Sequence, residues 1–154
     1  MKKILSLLAT AVLALTFVSC SSDDNETPTK ASFIGNWKTY SVEYTLLKNG
    51  QVITEETSYV TDDDDYMIWS FRTDYTFVDV TSEDGDVETY QGTWFTSGDI
   101  LYMNYKDVEM GYEWTDDYKI SSCNSAVFVV QEKDTWTDGN VTYEEIEEIT
   151  FKKQ

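Results

Sequence analysis

From Phe33 onward, apolar and polar residues alternate in short runs separated by turn-forming residues. In "WKTYSVEYTLL" (37–47), Tyr40, Val42, Tyr44 and Leu46 share one parity, and Thr39, Ser41, Glu43 and Thr45 take the other. That is the period of a half-buried strand. Asn49-Gly50 follows as a hairpin signal, and "VITEETSYV" runs back. "TDDDD" breaks the chain before "YMIWSF", and "RTD" separates that run from "YTFVDVTS". "EDGD" (83–86) turns into "VETYQGTWF", and "TSGD" (96–99) turns into "ILYMNY". "MGYEW" places Met110, Tyr112 and Trp114 on one parity, and "DYKI" and "SAVFVVQEKDTW" continue the alternation. "TDGN" (137–140) opens a last hairpin that closes with "VTYEEIEEITFKK". Two places depart from the rule. Tyr143, Ile146 and Ile149 recur every third residue, but Ile149 and Phe151 alternate, so a strand containing a bulge is expected there. Parity also changes between Lys106 and Val108. The pattern predicts an all-β domain of eight to ten antiparallel strands, and consecutive hairpins favour an up-and-down meander.

The chain before Phe33 follows different rules. Lys2 and Lys3 precede an almost unbroken apolar run, Ile4 to Val18, too short for a bilayer span of roughly 20 residues and suited to a signal-peptide core. "FVSC" ends the run, with the small Ser19 directly before Cys20. This resembles the lipobox of bacterial lipoproteins, with Phe17 where a leucine is usual. The resemblance implies cleavage before Cys20, diacylation of that cysteine and attachment to a membrane through the lipid. Ser21 to Ser32 holds the only proline, Pro28, and no large apolar residue, so it reads as a solvated tether. Its start, "SSDDNE", resembles the acidic export signal of surface-exposed lipoproteins of the Bacteroidota, which implies an outer-membrane, surface-facing location. The expected organisation is a signal peptide (1–19), a lipidated cysteine with acidic tether (20–32) and one domain (33–154).

Charge narrows the partners. Without Lys2 and Lys3, nine basic residues face 29 acidic ones, a net charge of about −20. Such a surface repels nucleic acid and anionic lipid headgroups, so membrane contact is expected to come from acyl chains. Of two cysteines, lipidation would consume Cys20, leaving Cys123 without an intrachain partner. Cys123, in a turn between apolar runs, reads as a small buried residue with no histidine nearby to activate it.

The absence of histidine removes the commonest general base and metal ligand, and with it the usual serine and cysteine hydrolase arrangements. The glycines are isolated singles, so no loop cradles phosphate. No catalytic residue is expected, and no cofactor. Calcium is the one ion to weigh. Asp62, Asp63, Asp64 and Asp65 crowd four carboxylates into one loop, which a cation would relieve. "DTWTDGNVTYEE" places Asp134, Asp138, Gly139 and Glu145 on an EF-hand-like spacing, but Trp136 stands at a ligand position, so the segment reads as an acidic hairpin.

"FIGNWKTYSVEY" resembles the first strand of lipocalins and lipocalin-like domains, where glycine, any residue and tryptophan begin the barrel. "WSFRTDYTFVDV", "YQGTWFTSGDILYMNY" and "EEITFKK" resemble later strands of small bacterial members, so the likeness spans most of residues 33–153. It implies that Trp37 plugs the closed end of a barrel of about eight strands, against a basic side chain from a late strand. Lys152 and Lys153 are the candidates. Gly35 and Gly92 read as points where another backbone or a large ring comes close, with Trp37 and Trp94 filling the space as core residues. Family likeness further implies non-catalytic binding of a small apolar or amphipathic molecule inside the barrel, by residues the sequence does not identify, in a chain expected to be monomeric. The alternative is an interaction module with a filled barrel, acting through its surface or acidic loops.

Overall fold

The computed structural model describes residues 30–60, 65–107 and 110–154. Cys20, Asp62, Asp63 and Asp64 lie outside them, as do the segment expected to be a signal peptide (1–19) and most of the expected tether (20–32). A four-residue helix, α1 (Lys30–Phe33), leads into nine strands: β1 (Gly35–Lys48), β2 (Gln51–Tyr59), β3 (Tyr66–Phe71), β4 (Thr76–Glu83), β5 (Asp86–Ser97), β6 (Ile100–Lys106), β7 (Glu113–Cys123), β8 (Val127–Asp138) and β9 (Val141–Lys153). All pairings are antiparallel, and β9 pairs with β1 to close the sheet. The result is an up-and-down barrel of β1 and β3–β9, with β2 as an additional strand.

β2 is additional because β1 changes partner along its length. Its lower part, Gly35–Lys38, pairs with β3, and its upper part, Ser41–Lys48, pairs with β2. At the changeover Thr39 Oγ1 donates to the carbonyl of Met67 and accepts from its N–H, both at 2.9 Å, replacing a missing ladder bond. Above this level β2, β1, β9 and β8 continue as a four-stranded extension.

Several expectations need correction. The bulge lies not in β9 but opposite it, at Tyr40 in β1, where the register slips between Thr39 and Ser41. Trp37 and Thr39 face inward below the slip, and Val42, which pairs with the buried Ile149, shares the inward face above it. Tyr40 is therefore expelled from the set that includes Val42, Tyr44 and Leu46; it stands outside under the ammonium of Lys152. An extra residue reverses parity, which simple alternation cannot anticipate. Met110 and Tyr112 are exposed in the loop before β7, where Asp107 N–H donates to Tyr112 O, so they continue no strand. Phe33 belongs to α1, and Cys123 ends β7, the turn falling at Asn124 to Ala126.

The lower barrel is solid. Trp37, Trp69, Trp94, Phe33, Phe77, Phe128, Phe151 and Leu101 are each less than about 2% exposed, so no water-sized void touches these rings. Phe33 enters from α1 as a plug, edge-on to Phe71 and Phe128 and tilted against Trp94. Trp69 stacks on Phe151 with centroids 4.4 Å apart.

Candidate functional site

At the closed end Trp37 is fully buried against α1. Its indole N–H donates to Phe33 O at 2.7 Å, which fixes α1 as the plug. Lys153 is the late basic partner: its Nζ lies 5.0 Å from the Trp37 ring and donates to Ile34 O at 2.9 Å. Gly35, at φ 136°, leaves room for that lysine, since a Cβ there would meet Lys153 Cε at 2.7 Å. Gly92 is tighter still. A Cβ would lie 1.9 Å from the backbone oxygen of Asn104 and 2.9 Å from the Phe77 ring. Both glycines and both tryptophans, Trp37 and Trp94, thus serve the packed end.

The open end has a different character. Residues paired in register share a face, so the inward set can be followed upward from the core. On β8 it runs Phe128, Val130, Glu132, Asp134, Trp136, and on β9 Phe151, Ile149, Glu147, Glu145, Tyr143. Asp116 follows Tyr118 on β7, and Asp79 follows Phe77 on β4. Apolar side chains therefore give way to carboxylates as the barrel opens. Glu132 stands opposite Glu147, and Asp134 opposite Glu145, with a cleft of about 180 Å³ among the four. Across β1 the set continues through Tyr44 to Glu56 on β2.

Asp79 forms the floor of this region and is itself buried. It accepts from Tyr105 Oη at 3.0 Å and Thr81 Oγ1 at 3.1 Å, and the Trp69 N–H faces it without completing a hydrogen bond. Loss of water outweighs these donors and holds the carboxyl above its ordinary range, with Asp116 adding to the effect. Burial also raises Asp116 and Glu132, the latter further repelled by Asp116, Glu147 and Asp134. Tyr44 moves up through burial and through Glu145, Glu147 and Glu56. Cross-strand register places Glu132, Asp134, Glu145 and Glu147 around one opening. Among the described residues the basic side chains of the inward face stand at its extremities, Lys153 below and Lys48 at the tip, over Tyr143. Tyr90, Tyr105 and Trp114 add an aromatic wall, Tyr105 and Trp114 lying parallel with centroids 4.9 Å apart.

None of these carboxylates was singled out as a mouth residue from sequence, although each lies on the parity of a core residue. Of the acidic loop, Asp65 is described: its carboxylate accepts from the Asp84 N–H at 2.8 Å, a loop-to-turn brace. Asp134 and Glu145 are cross-strand partners of the last hairpin, and no group of three potential metal ligands converges among the described residues. Burial pushes the Cys123 thiol up to about 11, away from reactivity.

No protein-family model matches the sequence, and no curated protein does. Two solved structures are similar in strand arrangement. A lipocalin-like protein from Bacteroides uniformis ATCC 8492 aligns with 80% of this chain and 99% of its own, at 15% identity and a TM-score of 0.47. An uncharacterized protein from Bacteroides eggerthii DSM 20697 aligns with 79% of this chain and 98% of its own, at 12% identity and a TM-score of 0.45.

Proposed function

We propose that this chain is a lipid-anchored, surface-facing envelope protein that binds a small cationic amphiphile, without catalysis, at the open mouth of its barrel. The observation that carries this reading is the split inward face. Its lower part is filled with aromatic rings, which leaves no apolar chamber there for a buried carrier ligand. Its upper part presents Asp116, Glu132, Asp134, Glu145 and Glu147 beside Tyr44 and Trp114. A positive headgroup would meet the carboxylates and the aromatic wall, and a short apolar portion would lie against the rings. The amphipathic ligand suggested by the fold is thereby narrowed to one sign of charge. Cys20 and the acidic tether supply the anchor and the address.

Calorimetric titration of the full chain with octyltrimethylammonium, octyl sulfonate and 1,2-octanediol tests the reading. The cation is expected to bind, to weaken as salt rises, and to lose about tenfold in affinity in Glu132→Gln with Glu147→Gln. Equal binding of all three probes, or no binding of the cation, would overturn it.

A further inference from the structure

The outer wall of β5, β6 and β7 carries a second arrangement, facing away from the mouth. Three cross-strand rows follow one another on this face: Phe95–Tyr102–Asp117, Thr93–Asn104–Thr115 and Gln91–Lys106–Glu113. Thr93, Asn104, Thr115, Lys106 and Glu113 of the two polar rows border a groove of about 400 Å³, completed by Gly92 and by Tyr105 and Trp114 of the aromatic wall, within the range of small-ligand sites. The Phe95 and Tyr102 rings stack face to face, 12° from parallel with centroids 4.7 Å apart, and Phe95 is 45% exposed. Neighbouring rows lie two residues apart along each strand, roughly 7 Å, about the width of one sugar ring.

We propose that this face binds an uncharged saccharide. A pyranose has an apolar C–H face, which would lie against the exposed ring of Phe95 in the stacked pair, and a rim of hydroxyls that both donate and accept. The groove offers both functions. Asn104 Oδ1 accepts from Thr115 Oγ1 at 2.8 Å, leaving its NH₂ as a donor, and Thr93 and Gln91 stand on the same face. Charge selects the ligand class. In a chain of net charge −18, the groove holds one ion pair, Lys106 Nζ to Glu113 at 3.4 Å, and otherwise neutral side chains. The groove itself favours neither a cation nor an anion, and Asp117 in the adjacent aromatic row disfavours an anion, whereas the mouth is lined with carboxylates.

The test is amide NMR of the full chain titrated with maltotriose, cellotriose, chitotriose and the anionic trigalacturonate. One neutral trisaccharide is expected to shift amides in 91–95, 102–106 and 113–117. Phe95→Ala and Asn104→Ala should each weaken it about tenfold or more, with melting temperatures near that of the parent. Tyr102→Phe, which keeps the ring, should retain binding. Glu147→Gln, in the mouth, should leave it unchanged. No shift from any neutral probe at about 10 mM, equal binding of trigalacturonate, or shifts confined to the mouth would each overturn the proposal.

Discussion

Asp79 offers a direct test of how the mouth is built. Its carboxyl is buried, with Tyr105 Oη and Thr81 Oγ1 as donors, and its pKa stands above the unfolded value because burial outweighs them. The sign follows from linkage. A carboxyl with a raised folded pKa contributes most below its unfolded pKa, and that contribution is lost as pH rises through the folded pKa. Each unit of displacement corresponds to about 1.4 kcal/mol. In Asp79→Asn the amide oxygen still accepts from one hydroxyl, and the other hydroxyl can accept from the NH₂. The shape is kept and the charge is gone. The variant is therefore expected to be more stable than the parent by about 1 kcal/mol at about pH 8, and equal or slightly weaker at about pH 4. Urea unfolding at both pH values, followed by circular dichroism, measures the difference. The comparison is internal because the repulsion among the other acids is common to both proteins. A variant destabilised equally at the two pH values would refute the reasoning, since Asp79 would then be a net favourable hydrogen-bonding centre in either state.

Other consequences are open to the same kind of measurement. Gly92→Ala places a methyl against the Asn104 backbone oxygen and the Phe77 ring, so the strand itself must move; a loss of about 2–3 kcal/mol is expected in thermal or urea unfolding, where a neutral result would contradict the packing. Lys153→Met keeps the apolar stem while removing the ammonium from Trp37 and the donor from Ile34 O, for a loss of about 1 kcal/mol and a shift in tryptophan emission. Cys20→Ser is expected to abolish metabolic palmitate labelling and to release the chain from the membrane fraction; retained labelling would exclude Cys20 as the acylated residue.

The barrel was legible because its turns carry their own chemistry. Asn49-Gly50 and Asp84-Gly85 all adopt positive φ, as paired left-handed positions of tight hairpins require, and Gly98 and Gly139 do so in two others. Alternation supplied the strands between them. The bulge at Tyr40 escaped notice because nothing in its own identity marks it; it exists to reconcile the inward phase of Trp37 with that of Val42. The basic partner of Trp37 was narrowed to two lysines, and only closure of β9 on β1 separates Lys153 from Lys152. The mouth was obscured for a related reason. Parity links Glu132 to Val130 and Glu147 to Ile149, but it does not say where along a strand the core ends.

That boundary bears on the carboxylates themselves. Glu132 opposite Glu147 and Asp134 opposite Glu145 are consecutive like-charged cross-strand pairs on one face, an arrangement that weakens a sheet. On the other face the same strands place Lys133 against Glu144, an opposite-charge contact, so this hairpin combines favourable pairing outside with repulsion inside. The aromatic end below supplies stability that lets the fold carry such strain. Relieving it should therefore separate stability from binding. Glu147→Gln is expected to raise unfolding stability by a few tenths of a kcal/mol, most clearly at low salt, while weakening the octyltrimethylammonium cation. A variant that gains stability and keeps full affinity would mean that the repulsion serves no ligand at this position. One that loses stability would mean that Glu147 is held by a favourable contact, and the picture of an uncompensated mouth would fail at its centre.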